Sequence, residues 1–384
     1  MRTGPRAIHA RADDTIRRRM HCHRVPDDMC THAAPKRLAW CAAMLVALCT
    51  CVSDGAEAQA SAKSATVGGE VYAGRADVQA FIAGLVRDDG FDARTLAQVF
   101  GQVRPQPRVV AAMSRPIVAP PKWFEYRPQF LNASRIDAGV AFWHANEAAL
   151  ARAQDGFGIP APVIVAIIGV ETYYGRNTGS YRVIDALSTL AFDYPRRAEY
   201  FSAELRNFLL LCREQGVSPL EARGSFAGAV GLPQFMPGSI REYAIDYDGD
   251  GRIDLANDPD DAIGSVANYL ARHGWQPGQP VMEPVRVEVE RAEAVVALFD
   301  GGVTPRRSVA DWVRDGVTGV AIPGDLAADP VGLLMLETTD APEYWMTFSN
   351  WFVLTRYNRS RLYASAVWQL AQALAEERER VFSR

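Results

Sequence analysis

The stretch that most constrains this chain is Ile159 to Gly175, I-P-A-P-V-I-V-A-I-I-G-V-E-T-Y-Y-G. Pro160 and Pro162 suit the first turn of a helix, where a missing N–H does little harm, and Gly175 suits its end. Ile164, Ile167 and Ile168 fall at helical spacing, and Glu171 stands seven, four and three positions beyond them. The pattern predicts a helix whose buried face carries one carboxylate near its C-terminal end. Desolvation and the negative pole of the helix dipole both disfavour the ionised form there. Each keeps a proton on the group near neutral pH, as a general acid requires. The alternative is a structural ion pair with an arginine such as Arg176 or Arg182.

At 384 residues, 48% hydrophobic and 22% charged, the chain is long enough for two or three globular domains. Residues 1–60 read as a leader. Arg17 to Arg19, Arg24, Lys36 and Arg37 precede an apolar run from Leu38 to Val52, and Ala58-Gln59-Ala60 follows. This is the order of a secretory signal, cleaved between Ala60 and Ser61. The part before the apolar run is long for such a signal, so Met20 and Met29 are alternative starts. The run is short for a membrane span. Lipid attachment at Cys49 or Cys51 is the weaker reading, because Leu48 and Thr50 stand where such sites place a small residue.

Past the leader, 32 basic and 39 acidic residues leave a net charge of −7. An acidic chain without basic clusters argues against a nucleic-acid partner. Five of the six cysteines lie in the leader; Cys212 alone remains, in an apolar helical context that reads as core. No disulfide frame or cysteine metal site follows. His144 and His273 are far apart in sequence, which argues against a zinc site, and no organic cofactor is expected.

Residues 61–74 read as a linker and 75–158 as a helical region. Short amphipathic helices are predicted in Phe81 to Phe91 and Thr95 to Val103, an extended Pro-rich connection over Pro105 to Pro121, and a longer helix from Ser134 to Ala153. Trp123, Phe124, Tyr126, Phe130 and Trp143 form an aromatic cluster read as core in preference to a sugar-stacking face. A helix within Thr178 to Arg197 and another over Glu199 to Gln215 lead to Arg223 to Ser239, R-G-S-F-A-G-A-V-G-L-P-Q-F-M-P-G-S. Its small residues let backbone approach either a ligand or another helix, and Ser225 and Gln234 are polar among apolar neighbours. Ser239 and Glu242 read as a capping box.

G-V-E-T-Y-Y-G followed at this distance by G-S-F-A-G-A-V-G-L-P-Q-F-M-P resembles the B-type lytic murein transglycosylases, which cleave bacterial peptidoglycan on a lysozyme-like core. The resemblance runs from about Arg75 to the C-terminus. It implies a mainly α (α+β) fold, with a lysozyme-like core over residues 159–280, an accessory helical region before it and a small β-rich segment after it. Matched by position, Glu171 is the single catalytic acid/base, while Tyr173, Ser225 and Gln234 line the sugar groove. Val230, where Met is common, and the variable Leu232-Pro233 depart from the pattern without touching the chemistry.

Asp246 to Asp254, D-Y-D-G-D-G-R-I-D, carries a second signal. Asp246, Asp248 and Asp250 stand at positions 1, 3 and 5 of an EF-hand-like loop, Gly251 at 6, the Arg252 carbonyl at 7 and Asp254 at 9. Alternating oxygens around a glycine turn suit a hard cation, read as a structural calcium ion. Position 12 is Asn257 in place of Glu. The resembled family has a longer loop, which makes Asp261 the first choice for the closing carboxylate and Asp258 the second.

Helix Asp261 to His273 precedes a β-rich segment, 281–350, with strands over Val285 to Val289, Val331 to Leu336 and Glu343 to Phe348 and a further strand at Trp351 to Leu354. Residues 351–384 complete the core with an amphipathic helix after Tyr363. By residue type alone Asn358 or Ser360 is a helix cap; the resemblance places Tyr357, Asn358 and Tyr363 in the cleft. It also implies peptidoglycan glycan strands as substrate, a periplasmic monomer, and cell-wall synthesis or division proteins as partners. A lone acid suffices if the nucleophile is the muramyl C6 hydroxyl, which gives 1,6-anhydromuramyl ends. A lysozyme-type hydrolase and a non-catalytic peptidoglycan-binding scaffold are the alternatives.

Overall fold

The computed structural model describes residues 72–115, 120–299, 304–319 and 329–383. The leader, its cleavage site, the alternative starts, Cys49 and Cys51, and residues 61–71 of the linker lie outside the described residues. The chain opens with α1 (Ala76–Asp89), α2 (Ala93–Phe100) and α3 (Pro107–Met113). Asp92 starts α2 by accepting the Thr95 N–H at 2.7 Å. Pro107 opens α3 inside the connection expected to be extended, because a proline in the first helical turn costs nothing.

Next come α4 (Trp123–Tyr126), α5 (Ala133–Ala145), α6 (Glu147–Phe157) and α7 (Ala161–Thr172). The expected helix Ser134 to Ala153 is thus two helices. Asn146 leaves helical geometry at φ −120° and ψ 28°, and its side-chain amide donates to the Phe142 carbonyl at 2.8 Å. Then β1 (Tyr181–Arg182), α8 (Val183–Asp193), α9 (Ala198–Gln215), β2 (Arg223–Gly224), α10 (Pro237–Tyr243) and α11 (Pro259–Arg272) follow. The Ser239 capping box is not formed, since Met236 is the N-cap of α10 and Pro237 already lies in its first turn.

The last third holds β3 (Met282–Val287), α12 (Ala292–Ala297), β4 (Arg307–Ser308), α13 (Val309–Arg314), β5 (Val317–Thr318), β6 (Pro330–Leu336) and β7 (Glu343–Thr347). It closes with α14 (Ser349–Tyr357) and α15 (Arg361–Phe382). The strands form one antiparallel sheet in the order β4-β6-β7-β3-β5, with Met346 of β7 opposite both Glu283 and Leu333. The strand expected at Trp351 to Leu354 is instead the middle of α14. A four-residue apolar run has the same signature in either state, and here all four side chains are buried.

Three cores organise these elements. The first surrounds α7 with α5, α6, α11, α14 and α15. The second joins α1 to α3 to the pair α8 and α9, and Cys212 is buried in it. Asp185 ties it together from within, accepting the Arg104 N–H at 2.9 Å and pairing with Arg182 at 2.8 Å. The third lies on one face of the sheet, where Val285, Val331 and Met346 meet Trp312 and Val317. Met282, Leu334 and Leu336 of the same strands belong to the first core, so period-two alternation fastens the sheet to the helices. Of the aromatic cluster, Trp123, Tyr126 and Phe130 are buried as expected, whereas Phe124 is exposed. Trp143 is partly buried under the Arg378 guanidinium. Among the described residues, no single helix is long and apolar enough to cross a membrane.

Candidate active site

Helix α7 is the centre of the site. Every residue from Val163 to Val170 is buried, so the helix is apolar all round, not only on the face that its isoleucines mark. It stops before Gly175, since Tyr173 and Tyr174 both take left-handed backbone, at φ 54° and 59°. The Tyr173 N–H still reaches the Gly169 carbonyl at 3.0 Å. Glu171 therefore occupies the final turn, half-buried, with the negative helix pole around it.

Its partner arrives from the far end of the chain. Ser360 caps α15, accepting the Tyr363 N–H at 3.3 Å, and the fully buried Tyr363 donates its hydroxyl to Glu171 Oε1 at 2.6 Å. Tyr357, at the end of α14, lies nearly parallel to Tyr363 with ring centres 6.4 Å apart, and its own hydroxyl donates to the Pro233 carbonyl at 2.6 Å. Burial pushes the Glu171 carboxyl up to about 7, and the Tyr363 hydroxyl opposes that by stabilising the anion. Burial, then the Glu171 charge, raises both phenols well above their ordinary range.

The ion-pair alternative is not what forms. The Arg176 guanidinium lies 4.6 Å over the Tyr173 ring, and Arg182 is engaged with Asp185. Arg135 also lies over the Tyr173 ring, 4.5 Å from its centre, while donating to the Gly169 carbonyl. The sequence favours core over a sugar-stacking face for Tyr126. It is buried, yet it also stands close enough to Glu171 for that charge to raise its phenol after burial does. No spacing links the two positions, so only the fold reveals it.

The other expected groove residues are placed as follows. The β1–β2 pair brings Tyr181 opposite Gly224, and Ser225 follows with its Oγ accepting the Ala229 N–H at 3.0 Å. Gln234, at φ 50°, donates through Nε2 to the Thr178 and Gly231 carbonyls at 3.1 and 2.9 Å. That bridge joins the loop after Glu171 to the loop before α10. Asn358 is buried with its Oδ1 unpartnered, and Ser360, not Asn358, is the helix cap.

The acidic loop folds as a separate turn beside α11. Single carboxylate oxygens of Asp246, Asp248 and Asp261 lie within 4.8 Å of one another. Asp258 is instead the N-cap of α11, accepting from Asp260 N at 2.7 Å, which favours Asp261 as the closing ligand. Asp261 is buried and accepts from Tyr247 N at 2.7 Å and Asp254 N at 2.8 Å. Burial, followed by the charges of Asp258 and Asp248, raises its carboxyl. Asp250 and Asp254 are not in the close set; each accepts backbone N–H groups of its own turn. An all-oxygen set around the left-handed Gly251 fits a hard cation of calcium type.

Known proteins are similar to this chain over most of its length. The Transglycosylase SLT domain family matches residues 73–372. The membrane-bound lytic murein transglycosylase B of Escherichia coli is 40% identical over 324 residues, 80% of this chain and 85% of that protein. The solved structure of Escherichia coli lytic transglycosylase Slt35 in complex with calcium is 40% identical, with a TM-score of 0.74 over 80% of this chain and 95% of that one. SltB3 from Pseudomonas aeruginosa, solved in complex with NAG-anhNAM-pentapeptide, is 33% identical with a TM-score of 0.68, covering 77% and 78% of the two chains. The fold is accordingly the lysozyme-like one of these enzymes. A half-buried acid at a helix end, held by a tyrosine from the last helix, thus sits in a chain that belongs to the SLT-domain transglycosylase family and is a lytic transglycosylase.

Proposed function

We propose that this lytic transglycosylase cleaves the β-1,4 bond between N-acetylmuramic acid and N-acetylglucosamine in peptidoglycan and closes the muramyl end as a 1,6-anhydro ring. The observation that carries the reading is the Tyr363–Glu171 pair, in which a desolvated carboxyl held near pH 7 serves first as acid and then as base. Protonated Glu171 gives its proton to the bridging oxygen as the C1–O bond breaks. The muramyl N-acetyl oxygen holds C1 meanwhile. The Glu171 carboxylate then removes the proton from the C6 hydroxyl while O6 bonds to C1, so atoms balance without water. Two-carboxylate glycosidases place a second acid within reach of the sugar. Among the described residues no other carboxylate perturbs Glu171. An intramolecular hydroxyl supplies the nucleophile at high effective concentration.

Tyr126, Tyr173, Ser225, Gln234, Tyr357, Asn358 and Tyr363 form the walls of the cleft around that step. Asp246, Asp248 and Asp261, with the remaining loop oxygens of Asp250, Arg252 and Asp254, hold a structural calcium ion that braces the turn before α11. The enzyme works as a periplasmic monomer after loss of residues 1–60, within reach of cell-wall synthesis and division proteins. The deciding experiment is mass spectrometry of purified sacculi digested with wild type and Glu171→Gln. Anhydromuramyl products from wild type and none from the variant support the reading. Reducing ends heavier by one water identify a hydrolase, and binding without product identifies a scaffold.

A further inference from the structure

The segment after Glu171 is strained. Tyr173, Tyr174 and Gly175 are three successive left-handed residues, two of them carrying a Cβ, and such a run persists only where surrounding contacts over-determine it. Thr172, 1% exposed, is the side chain that does so. Its Oγ1 accepts the Gly175 N–H at 3.0 Å, and its backbone carbonyl accepts the Asn177 N–H at 2.9 Å. Its single hydroxyl proton has two acceptors, the Leu232 carbonyl at 2.9 Å and the Ile168 carbonyl at 3.2 Å. The shorter of these ties the turn to another part of the chain.

Leu232 is itself anchored. Its N–H donates to the Leu255 carbonyl at 2.8 Å. Gly231, at φ 76°, permits this approach, since a Cβ there would meet the Leu255 oxygen at 2.3 Å. Leu255 directly follows Asp254, whose N–H is held by Asp261 Oδ2 at 2.8 Å and whose carbonyl accepts from Asp258 N at 3.0 Å. The hydrogen bonds therefore run without a gap from the acidic loop to the residue beside the catalytic acid.

We propose that Thr172 is a positioning residue for Glu171, and that the Leu232 carbonyl it grips is held in register by the acidic loop, so that a cation in that loop steadies the catalytic turn. The inference rests on Glu171 being the acid, as proposed above. Without the Thr172 hydroxyl the left-handed turn relaxes, the last turn of α7 shifts, and the carboxyl no longer meets Tyr363 and substrate together.

Thr172→Val keeps the shape and removes the hydroxyl; Thr172→Ser keeps the hydroxyl. The expected result is a kcat lower by about 10- to 100-fold in Thr172→Val with KM changed by no more than about twofold, and recovery in Thr172→Ser. Hydrogen exchange read by mass spectrometry supplies a measurement independent of catalysis. Amides of the 172–177 peptide exchange faster in Thr172→Val, and replacing calcium chloride with EGTA speeds exchange in wild type over 231–235 and 172–177. Wild-type kcat in Thr172→Val, a loss equal to the unfolded fraction, or an EGTA effect confined to 246–261 would each overturn the proposal. The exchange experiment on wild type needs neither a folded variant nor turnover. An active Glu171→Gln would remove the acid assignment while leaving the relay to be judged separately.

Discussion

Tyr363 and Glu171 are separated by 192 residues in sequence and joined by one 2.6 Å hydrogen bond in the fold. The phenol donates, so the bond favours the carboxylate, while burial favours the carboxylic acid. The balance leaves the group near pH 7, where it can give and take a proton within one catalytic cycle.

Tyr363→Phe removes only the donor. The anion loses stabilisation, the Glu171 pKa rises, and the alkaline limb of the kcat/KM profile moves up by about one pH unit from its wild-type place near 7. Turnover falls about tenfold, because a carboxyl of higher pKa is a weaker acid and is less well oriented. A pH–rate profile on sacculi checks both; a limb moving down contradicts the direction of the bond.

Glu171→Gln abolishes turnover, by at least about 10³-fold, and changes stability with a defined sign. The folded pKa of about 7 lies above the 4.5 of a free glutamate side chain. The wild-type contribution is thus intact below 4.5 and is lost as pH rises through 7. Gln carries no such penalty, so the variant matches wild type at pH 4.5 and is more stable at pH 8 by on the order of 2–3 kcal/mol. Urea unfolding at the two pH values measures it.

If the acidic loop holds calcium as proposed, the ion is expected to raise the melting temperature. At a hundredfold excess over Kd the stabilisation is about 2.7 kcal/mol, and Asp261→Asn loses most of the response by removing the buried ligand. Calorimetry with calcium and with EGTA tests this. Equal melting temperatures in the two buffers would show an acidic turn without an ion.

Ser360→Ala deletes the cap of α15 and costs about 1 kcal/mol, with Ser360→Asp nearly neutral. Since that turn carries Tyr363, the alanine variant also loses some activity, read by urea midpoint and kcat on one preparation.

The helix under Glu171 was legible because prolines and isoleucines at fixed spacing leave few alternatives. The acidic loop was legible as a turn because its aspartates and glycines are nearly contiguous. What could not be read were relations across the chain. Nothing in Arg176 or Arg182 says that each is taken by Tyr173 or Asp185 and not by Glu171. Tyr126 reads as one more core aromatic until α4 is placed against α7. The break at Asn146 and the helix at Trp351 to Leu354 turn on one side-chain amide and on burial from all sides, and local pattern encodes neither.

The contribution of α15 to the first core has a consequence for biosynthesis. Tyr363, Val367, Leu370 and Leu374 are fully buried there, and the Glu171 carboxyl receives its phenol from that same helix. A growing polypeptide exposes Glu171 long before residue 363 is made. Until that closing helix docks, Glu171 lacks its phenol partner and the first core lacks one of its walls, so the geometry of the site belongs to the finished chain alone.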